Sequence, residues 1–237
     1  MSADDDVVYP EAPVVCSPIL IGAAGTQILA GPETNEAIAE AIAGQGGVVL
    51  HDVLEPGLLQ SFIGLAARAD FREVDSGPLG VRTTDMSVSL ALPFCVALAR
   101  RPFMRWLEAI SGCPPVHHIE GHLAQMLPGN AVGWHRDTGS GTRRLAMVIN
   151  LTTAPVEGAR FELRRKADRE PMLAYHASAP GSLAIFRTDG ELQHRVSRLL
   201  SGGPRRSFSA WARGPRGEMD ATRDFTLATW PPLPAIA

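Results

Sequence analysis

The second half of the chain contains the segment QMLPGNAVGWHRD, residues 125–137. Pro128 and Gly129 favour a tight turn, so the segment predicts a strand, a turn and a second strand that delivers His135 at its end. Side chains at positions i and i+2 of a strand point to the same side. His135 and Asp137 can therefore bind one metal ion together.

A second histidine, His194, lies much further along the chain in the segment LQHRV, residues 192–196. About four predicted strands separate it from Asp137, which is what returns a chain to its starting edge in a two-sheet barrel. Two imidazoles and one carboxylate are the set that binds non-haem Fe(II) and leaves positions open for chemistry. An isolated histidine–x–aspartate pair also occurs in ordinary turns, so the metal hypothesis requires His194 to join His135.

A third motif, RRSFSAW, covers residues 205–211. On a strand, Arg205, Ser207 and Trp211 share one face. An arginine pointing into a barrel is costly without an anionic partner, and a carboxylate together with a serine hydroxyl would satisfy it. The alternative places Arg205 on the surface beside Arg206, and the residues alone leave both interpretations open.

The order of predicted elements indicates a mainly β fold with flanking helices, in which a jelly-roll-like barrel is braced by N-terminal α-helices. Helices are predicted near 36–43, 58–69, 88–101 and 103–110, a short strand at 48–51, and eight further strands between 118 and 212. We divide the chain into an extended arm (1–32), a helical support region of the same domain (33–116), the barrel core (117–213) and a C-terminal tail (214–237).

Composition excludes several classes of protein. The 237 residues are 45% hydrophobic, which suffices for one sizeable core, and the net charge of −3 does not favour nucleic acid or an anionic membrane as partner. Three widely spaced cysteines without a CxxC motif disfavour a disulfide framework. The acidic N-terminus is unlike a secretory signal, and we expect a cytoplasmic protein.

Together these motifs resemble the Fe(II)/2-oxoglutarate-dependent dioxygenases, and most closely their prolyl-hydroxylase-like branch, over about residues 118–213. The resemblance implies a double-stranded β-helix, a cupin-like jelly roll. It also implies Fe(II), 2-oxoglutarate and O2 as cofactor and cosubstrates. The implied catalytic and metal-binding residues are His135, Asp137 and His194; the implied 2-oxoglutarate contacts are Arg205, Ser207 and Gln125, with Asn150 as an alternative to Gln125.

The chain departs from that branch in one respect. The tyrosine often found just after the glutamine is absent, and Met126 and Leu127 occupy the region. The chain has two tyrosines, Tyr9 and Tyr175. The residue that would form the other wall of the cosubstrate pocket is therefore not evident from the sequence.

The resemblance implies hydroxylation of an unactivated C–H bond in a small molecule, amino acid or peptide, with release of succinate and CO2. Because Asp137 is present, halogenation is disfavoured, whereas desaturation stays open. One alternative is a cupin-type metal-dependent hydrolase or isomerase that does not use 2-oxoglutarate, and another is a non-catalytic barrel that binds a ligand or partner.

Residues 75–87 are predicted to form a loop that either covers the site as a lid or simply connects two elements. Under the lid hypothesis, Arg82→Ala raises the KM for substrate more than the KM for 2-oxoglutarate.

Overall fold

The computed structural model describes residues 8–75, 81–85, 88–137, 142–176, 179–188 and 190–215. Within these ranges the helices are α1 (Pro32–Gln45), α2 (Pro56–Ala67), α3 (Val88–Leu98) and α4 (Arg101–Ser111). The strands are β1 (Val14–Cys16), β2 (Ile19–Ile21), β3 (Thr26–Ile28), β4 (Gly47–His51), β5 (Phe71–Asp75), β6 (Val81–Asp85), β7 (His118–Met126), β8 (Val132–His135), β9 (Arg143–Asn150), β10 (Val156–Gly158), β11 (Phe161–Arg165), β12 (Pro171–Tyr175), β13 (Leu183–Arg187), β14 (Leu192–Val196), β15 (Leu199–Gly202) and β16 (Arg205–Arg213).

Two sheets form the barrel. The large sheet has eight strands in the order β1-β4-β13-β9-β16-β7-β6-β5, and the small sheet has four in the order β12-β11-β14-β8. One apolar cluster between them draws Ala146 and Phe186 from the large sheet and Phe161 and Leu163 from the small one. The inner faces of the two sheets therefore enclose a common interior.

The helices cover the other face of the large sheet. Phe94 of α3 stacks on Phe62 of α2 at 3.9 Å and on Phe208 of β16 at 4.6 Å between ring centroids. Because side chains alternate along a strand, Ser207 and Ser209 must face the barrel interior while Phe208 faces the helices. The prediction of a mainly β jelly roll braced by N-terminal helices is confirmed.

The first helix is longer than predicted at both ends. It begins at Pro32, since proline is tolerated in a first helical turn, where its missing N–H is not needed. It passes Gly44 and ends at Gln45, where the left-handed backbone of Gly46 (φ 83°) caps the helix. A glycine does end this helix, but it is Gly46 and not the predicted Gly44.

The structure gives different outcomes for the predicted arm, the predicted loop at 75–87 and the lid hypothesis. The predicted arm carries β1, which joins the large sheet beside β4, and the hairpin of β2 and β3. The predicted loop at 75–87 is wrong for residues 81–85, because β6 pairs with both β5 and β7 and so extends the large sheet. The rest of the proposed lid, at 76–80 and 86–87, lies outside the described residues, as does the side chain of Arg82, and its effect on KM stays a prediction.

The C-terminal tail from residue 216 also lies outside the described residues, and the boundaries drawn between the four regions of the chain stay predictions. Within the part of the chain that the structure covers, no helix has the length and apolar character needed to cross a membrane.

Candidate metal and cosubstrate site

Strand pairing brings the two histidines together. His194 of β14 lies directly opposite His135 of β8, and their ring centroids are 4.1 Å apart. Asp137 follows β8, with Oδ1 at 3.8 Å from His135 Nε2 and Oδ2 at 3.5 Å from His194 Nε2. One ligand atom from each residue lies within 4.8 Å of the others, so the three side chains could bind a single metal ion.

Two of these side chains also form polar contacts with neighbouring residues of the protein. His135 Nδ1 lies 2.8 Å from the Gly133 carbonyl oxygen, and donating a proton there leaves the lone pair on Nε2, which faces Asp137. Trp211 Nε1 donates a hydrogen bond to Asp137 Oδ2 at 2.8 Å. These contacts orient the donors before any metal is bound.

The electrostatics of the site suit a cation. Burial alone would raise the pKa of Asp137, but His194, the Trp211 hydrogen bond, His135 and Arg143 together hold that pKa below its usual value. Burial lowers the pKa of His194 to about 4. At neutral pH the pair is therefore a carboxylate and a neutral imidazole, the protonation states in which these groups bind metals. The donor set fits a ferrous ion.

Arg143 completes the surroundings of the carboxylate. Its guanidinium lies over the Trp211 ring at 4.0 Å, with NH1 at 3.7 Å from Asp137 Oδ1 and NH2 at 3.5 Å from Glu120 Oε1. Neither this role of Arg143 nor the Trp211–Asp137 contact was predicted from the sequence. The available signal was the alternation of side chains that places Trp211 on the same face as Arg205, but alternation does not show which loop Trp211 contacts.

Arg205 is buried, which excludes the surface interpretation. The residue is 5% exposed, and its NH1 donates to the weak acceptor Met126 Sδ at 3.6 Å. Its Nε is buried without a hydrogen-bond partner among the described residues. Burial lowers the pKa of Arg205, and the Tyr175 phenol partly offsets that effect. A buried guanidinium in this state fits an anionic ligand better than a protein partner.

Ser207 is buried two residues further along the same face of β16. It therefore lies beside Arg205 in the interior, as the motif predicted. Binding of 2-oxoglutarate by these two residues stays a prediction.

The structure corrects the expectation for Gln125. This residue pairs with Arg206 on the opposite face of the large sheet, and its Oε1 accepts a hydrogen bond from Arg206 Nε at 3.1 Å. Asn150 faces the interior, but both ends of its amide are used, since Nδ2 donates to the Ala179 carbonyl and Oδ1 accepts from the Thr152 amide, each at 3.0 Å. Neither amide is placed as a ready cosubstrate contact.

A cavity of about 400 Å³ lies against the loops after β9 and β12, where Thr152, Val156 and His176 contribute to its lining. Neither the three donor residues nor Arg205 lines it. We therefore assign the site from its donor atoms and not from this cavity.

A mainly β barrel that carries two imidazoles and a carboxylate is typical of non-haem Fe(II) oxygenases. Residues 121–213 match the family model of the 2OG-Fe(II) oxygenase superfamily. This match confirms the family resemblance drawn from the motifs. The family implies Fe(II), 2-oxoglutarate and O2. A comparison with curated proteins gives no match.

Solved structures of this superfamily have a similar fold. A 2OG-Fe(II) oxygenase family oxidoreductase from Burkholderia pseudomallei is 16% identical, with a TM-score of 0.61 over 77% of this chain and 92% of that one. A prolyl-4-hydroxylase from Pseudomonas putida is 18% identical, with a TM-score of 0.57 over 76% of this chain and 99% of that one. A prolyl hydroxylase from Trichoplax adhaerens, solved with a peptide fragment of hypoxia inducible factor, is 12% identical, with a TM-score of 0.50 over 76% and 91%. At these identities the likeness shows the shared fold.

Proposed function

We propose that this protein is an Fe(II)- and 2-oxoglutarate-dependent hydroxylase that acts on an unactivated C–H bond of a small molecule, amino acid or peptide and releases succinate and CO2. One observation carries the proposal. The interior that brings three donor atoms within 4.8 Å of one another also holds a buried arginine without an ion-pair partner among the described residues.

In this proposal His135, Asp137 and His194 hold the metal. Bound Fe(II) and 2-oxoglutarate would supply the activation of O2 and the oxidation of the C–H bond. Trp211 keeps the Asp137 carboxylate turned toward the two imidazoles, so this position is filled by protein and halide is excluded from it. That occupancy favours hydroxylation over halogenation.

Arg205 and Ser207 would bind the distal carboxylate of 2-oxoglutarate and so orient its reacting end toward the metal. The guanidinium can pair with both carboxylate oxygens, and a serine hydroxyl can donate to one of them. Around His194, the rings of Phe161 and Phe186 lie at 5.6 and 4.9 Å between centroids, and these apolar neighbours limit the access of water.

Several classes of substrate are candidates for the proposed reaction. Two of the similar folds belong to prolyl hydroxylases, and one of these was solved with a peptide. Proline-containing peptides are therefore the first candidates in a screen, followed by free amino acids and small metabolites.

The direct test measures succinate formed from 2-oxoglutarate with added Fe(II), together with O2 consumption, while candidate substrates are screened. We expect slow succinate formation without substrate and faster formation with the right substrate class, both absent from the His135→Ala variant. If Fe(II)-loaded protein neither binds nor consumes 2-oxoglutarate, the proposal fails and a metal-dependent hydrolase or isomerase becomes the better hypothesis.

A further inference from the structure

We propose that the hydroxyl group of Tyr175 donates a second hydrogen bond to the distal carboxylate of 2-oxoglutarate, beside Arg205. This inference rests on the proposed function and names a cosubstrate contact that the sequence did not reveal.

The register of the small sheet places Tyr175 in the interior. Tyr175 lies opposite Phe161 of β11, and their ring centroids are 5.0 Å apart. Phe161 stacks in turn on the ring of His194 at 5.6 Å. Since Leu163, two residues from Phe161, lies opposite His194, these side chains share one face of the small sheet. Tyr175 therefore projects from the same face as the metal-binding histidine.

The polar end of Tyr175 has no use within the described protein. The residue is 8% exposed, and its hydroxyl oxygen is buried without a hydrogen-bond partner among the described residues. Packing on Phe161 needs only the ring, and phenylalanine would supply that ring without a buried polar atom. An unpaired buried hydroxyl is unfavourable, so the hydroxyl points to a group that arrives with a ligand.

Arg205 shows where that group must lie. Arg205 NH1 contacts Met126 Sδ, and Val196 packs against both the apolar cluster that contains Met126 and the one that contains Tyr175. Arg205 Nε is likewise buried without a hydrogen-bond partner among the described residues. Burial raises the pKa of Tyr175 to about 12, so the phenol stays protonated and donates at neutral pH. A guanidinium and a phenol that both donate, from opposite sheets, match a carboxylate placed between them.

The first test compares Tyr175→Phe with Tyr9→Phe, since these are the two tyrosines of the chain. Tyr9 stacks on Trp134 at 6.3 Å, and Trp134 alternates with His135, so this contact lies on the outer face of the small sheet. Binding to the Mn(II)-loaded protein is measured by calorimetry for 2-oxoglutarate and for 2-oxopentanoate, which has the same chain length without the distal carboxylate.

We expect Tyr175→Phe to raise the Kd for 2-oxoglutarate about tenfold or more, since hydrogen bonds to charged groups are the stronger ones. The Kd for 2-oxopentanoate should be the same in the two variants, and Tyr9→Phe should match the wild type for both ligands. An equal loss for both ligands, or no loss for either, would overturn the assignment of Tyr175.

A second measurement does not depend on how Tyr175→Phe folds. In Tyr9→Phe protein labelled with 3-fluorotyrosine, residue 175 carries the one fluorine, and its NMR signal should shift with 2-oxoglutarate but not with 2-oxopentanoate. If the signal does not shift with 2-oxoglutarate although calorimetry shows binding, the Tyr175 contact is refuted. The proposed function is not affected by that result. If the wild-type Mn(II) protein does not bind 2-oxoglutarate at all, the proposed function itself fails.

Discussion

The two ends of the barrel interior treat their polar groups in opposite ways. At the metal end, Asp137 accepts a hydrogen bond from Trp211, and His135 Nδ1 contacts the Gly133 carbonyl. At the other end, Arg205 Nε and the Tyr175 hydroxyl are buried and have no hydrogen-bond partner in the part of the chain that the structure describes. The first end is organised by the protein alone, and the second is organised for a ligand.

This difference has a thermodynamic consequence. A buried polar group without a partner costs about 1–3 kcal/mol, whereas removing both members of a bonded pair can be nearly neutral. Removing a polar group at the metal end should therefore destabilise the ligand-free protein, because a partner is left behind. Removing one at the arginine end should not, although it should weaken ligand binding.

The largest expected effect is at the metal end. Either His135→Ala or Asp137→Ala should reduce succinate formation to the level seen without Fe(II), because each removes one of three donors. The fold should persist, although Asp137→Ala should lower the free energy of unfolding by about 1–3 kcal/mol, since it leaves Trp211 Nε1 unpaired. Asp70→Ala is the control, because this carboxylate is exposed. Turnover that survives in either donor variant would contradict the assignment of the metal site.

The next effect separates the two ends most clearly. Arg205→Met should weaken 2-oxoglutarate binding by about 3–5 kcal/mol, the loss typical of a broken buried charge pair. The free energy of unfolding of the ligand-free protein should stay the same or rise, because the methionine removes a buried charge and leaves only the weak acceptor Met126 Sδ without its donor.

Arg206→Met is the matched control for this change. Its guanidinium bonds Gln125 on the other face of the sheet, so this variant should keep normal affinity for 2-oxoglutarate. Calorimetry and chemical denaturation of both variants measure the two quantities. If Arg205→Met kept its affinity and Arg206→Met lost it, the roles of the two arginines would have to be exchanged.

The local periodicity of the sequence was enough to predict much of the fold and the placement of Asp137 beside His135. Alternation along a strand is enough to place His135 and Asp137 on one side, and Arg205 and Ser207 on one face. These inferences need no knowledge of which strand lies next to which. For the same reason the helices were located from their apolar spacing, and their ends were less accurate.

The failures in the β region required knowledge of strand register. The register of β7 against β16 sets Met126 opposite Arg205 and Gln125 opposite Arg206, so the expected amide contact falls on the wrong face. The proposed pairing of Tyr175 with Arg205 joins two different sheets, and no spacing within one segment can indicate it. The strand at 81–85 forms because β7 offers a free edge, which the glycines before it do not indicate.

A smaller effect tests whether the hydrogen bond from Trp211 to Asp137 contributes to metal affinity. Trp211→Phe keeps an aromatic ring but loses the hydrogen bond to Asp137, and groups that support metal ligands typically contribute 10–100-fold to metal affinity. We expect the Kd for Fe(II) or Mn(II) to rise by about that factor, with the affinity for 2-oxoglutarate at saturating metal nearly unchanged.

Trp106→Phe is its control, because Trp106 Nε1 donates a similar 2.8 Å bond to Asn35, between α4 and α1. That variant should lose stability and keep metal affinity. Equal metal affinity in the two variants would show that Asp137 holds its position without Trp211.

The smallest expected effect concerns two buried threonine hydroxyls that lie at neither end of the barrel interior. It compares the loss of a hydroxyl that has a hydrogen-bond partner with the loss of one that has none. Thr83 Oγ1 donates a 2.8 Å hydrogen bond to the Gln125 carbonyl, whereas Thr26 Oγ1 is buried without a partner among the described residues. Thr83→Val should lower the free energy of unfolding by about 1 kcal/mol, and Thr26→Val should leave it unchanged or raise it. Neither should alter the affinity for metal or for 2-oxoglutarate. If chemical denaturation gave the same loss for both, a made hydrogen bond and an unmade one would be worth the same here, and the opposite stability effects expected for Asp137 and Arg205 would lose their physical basis.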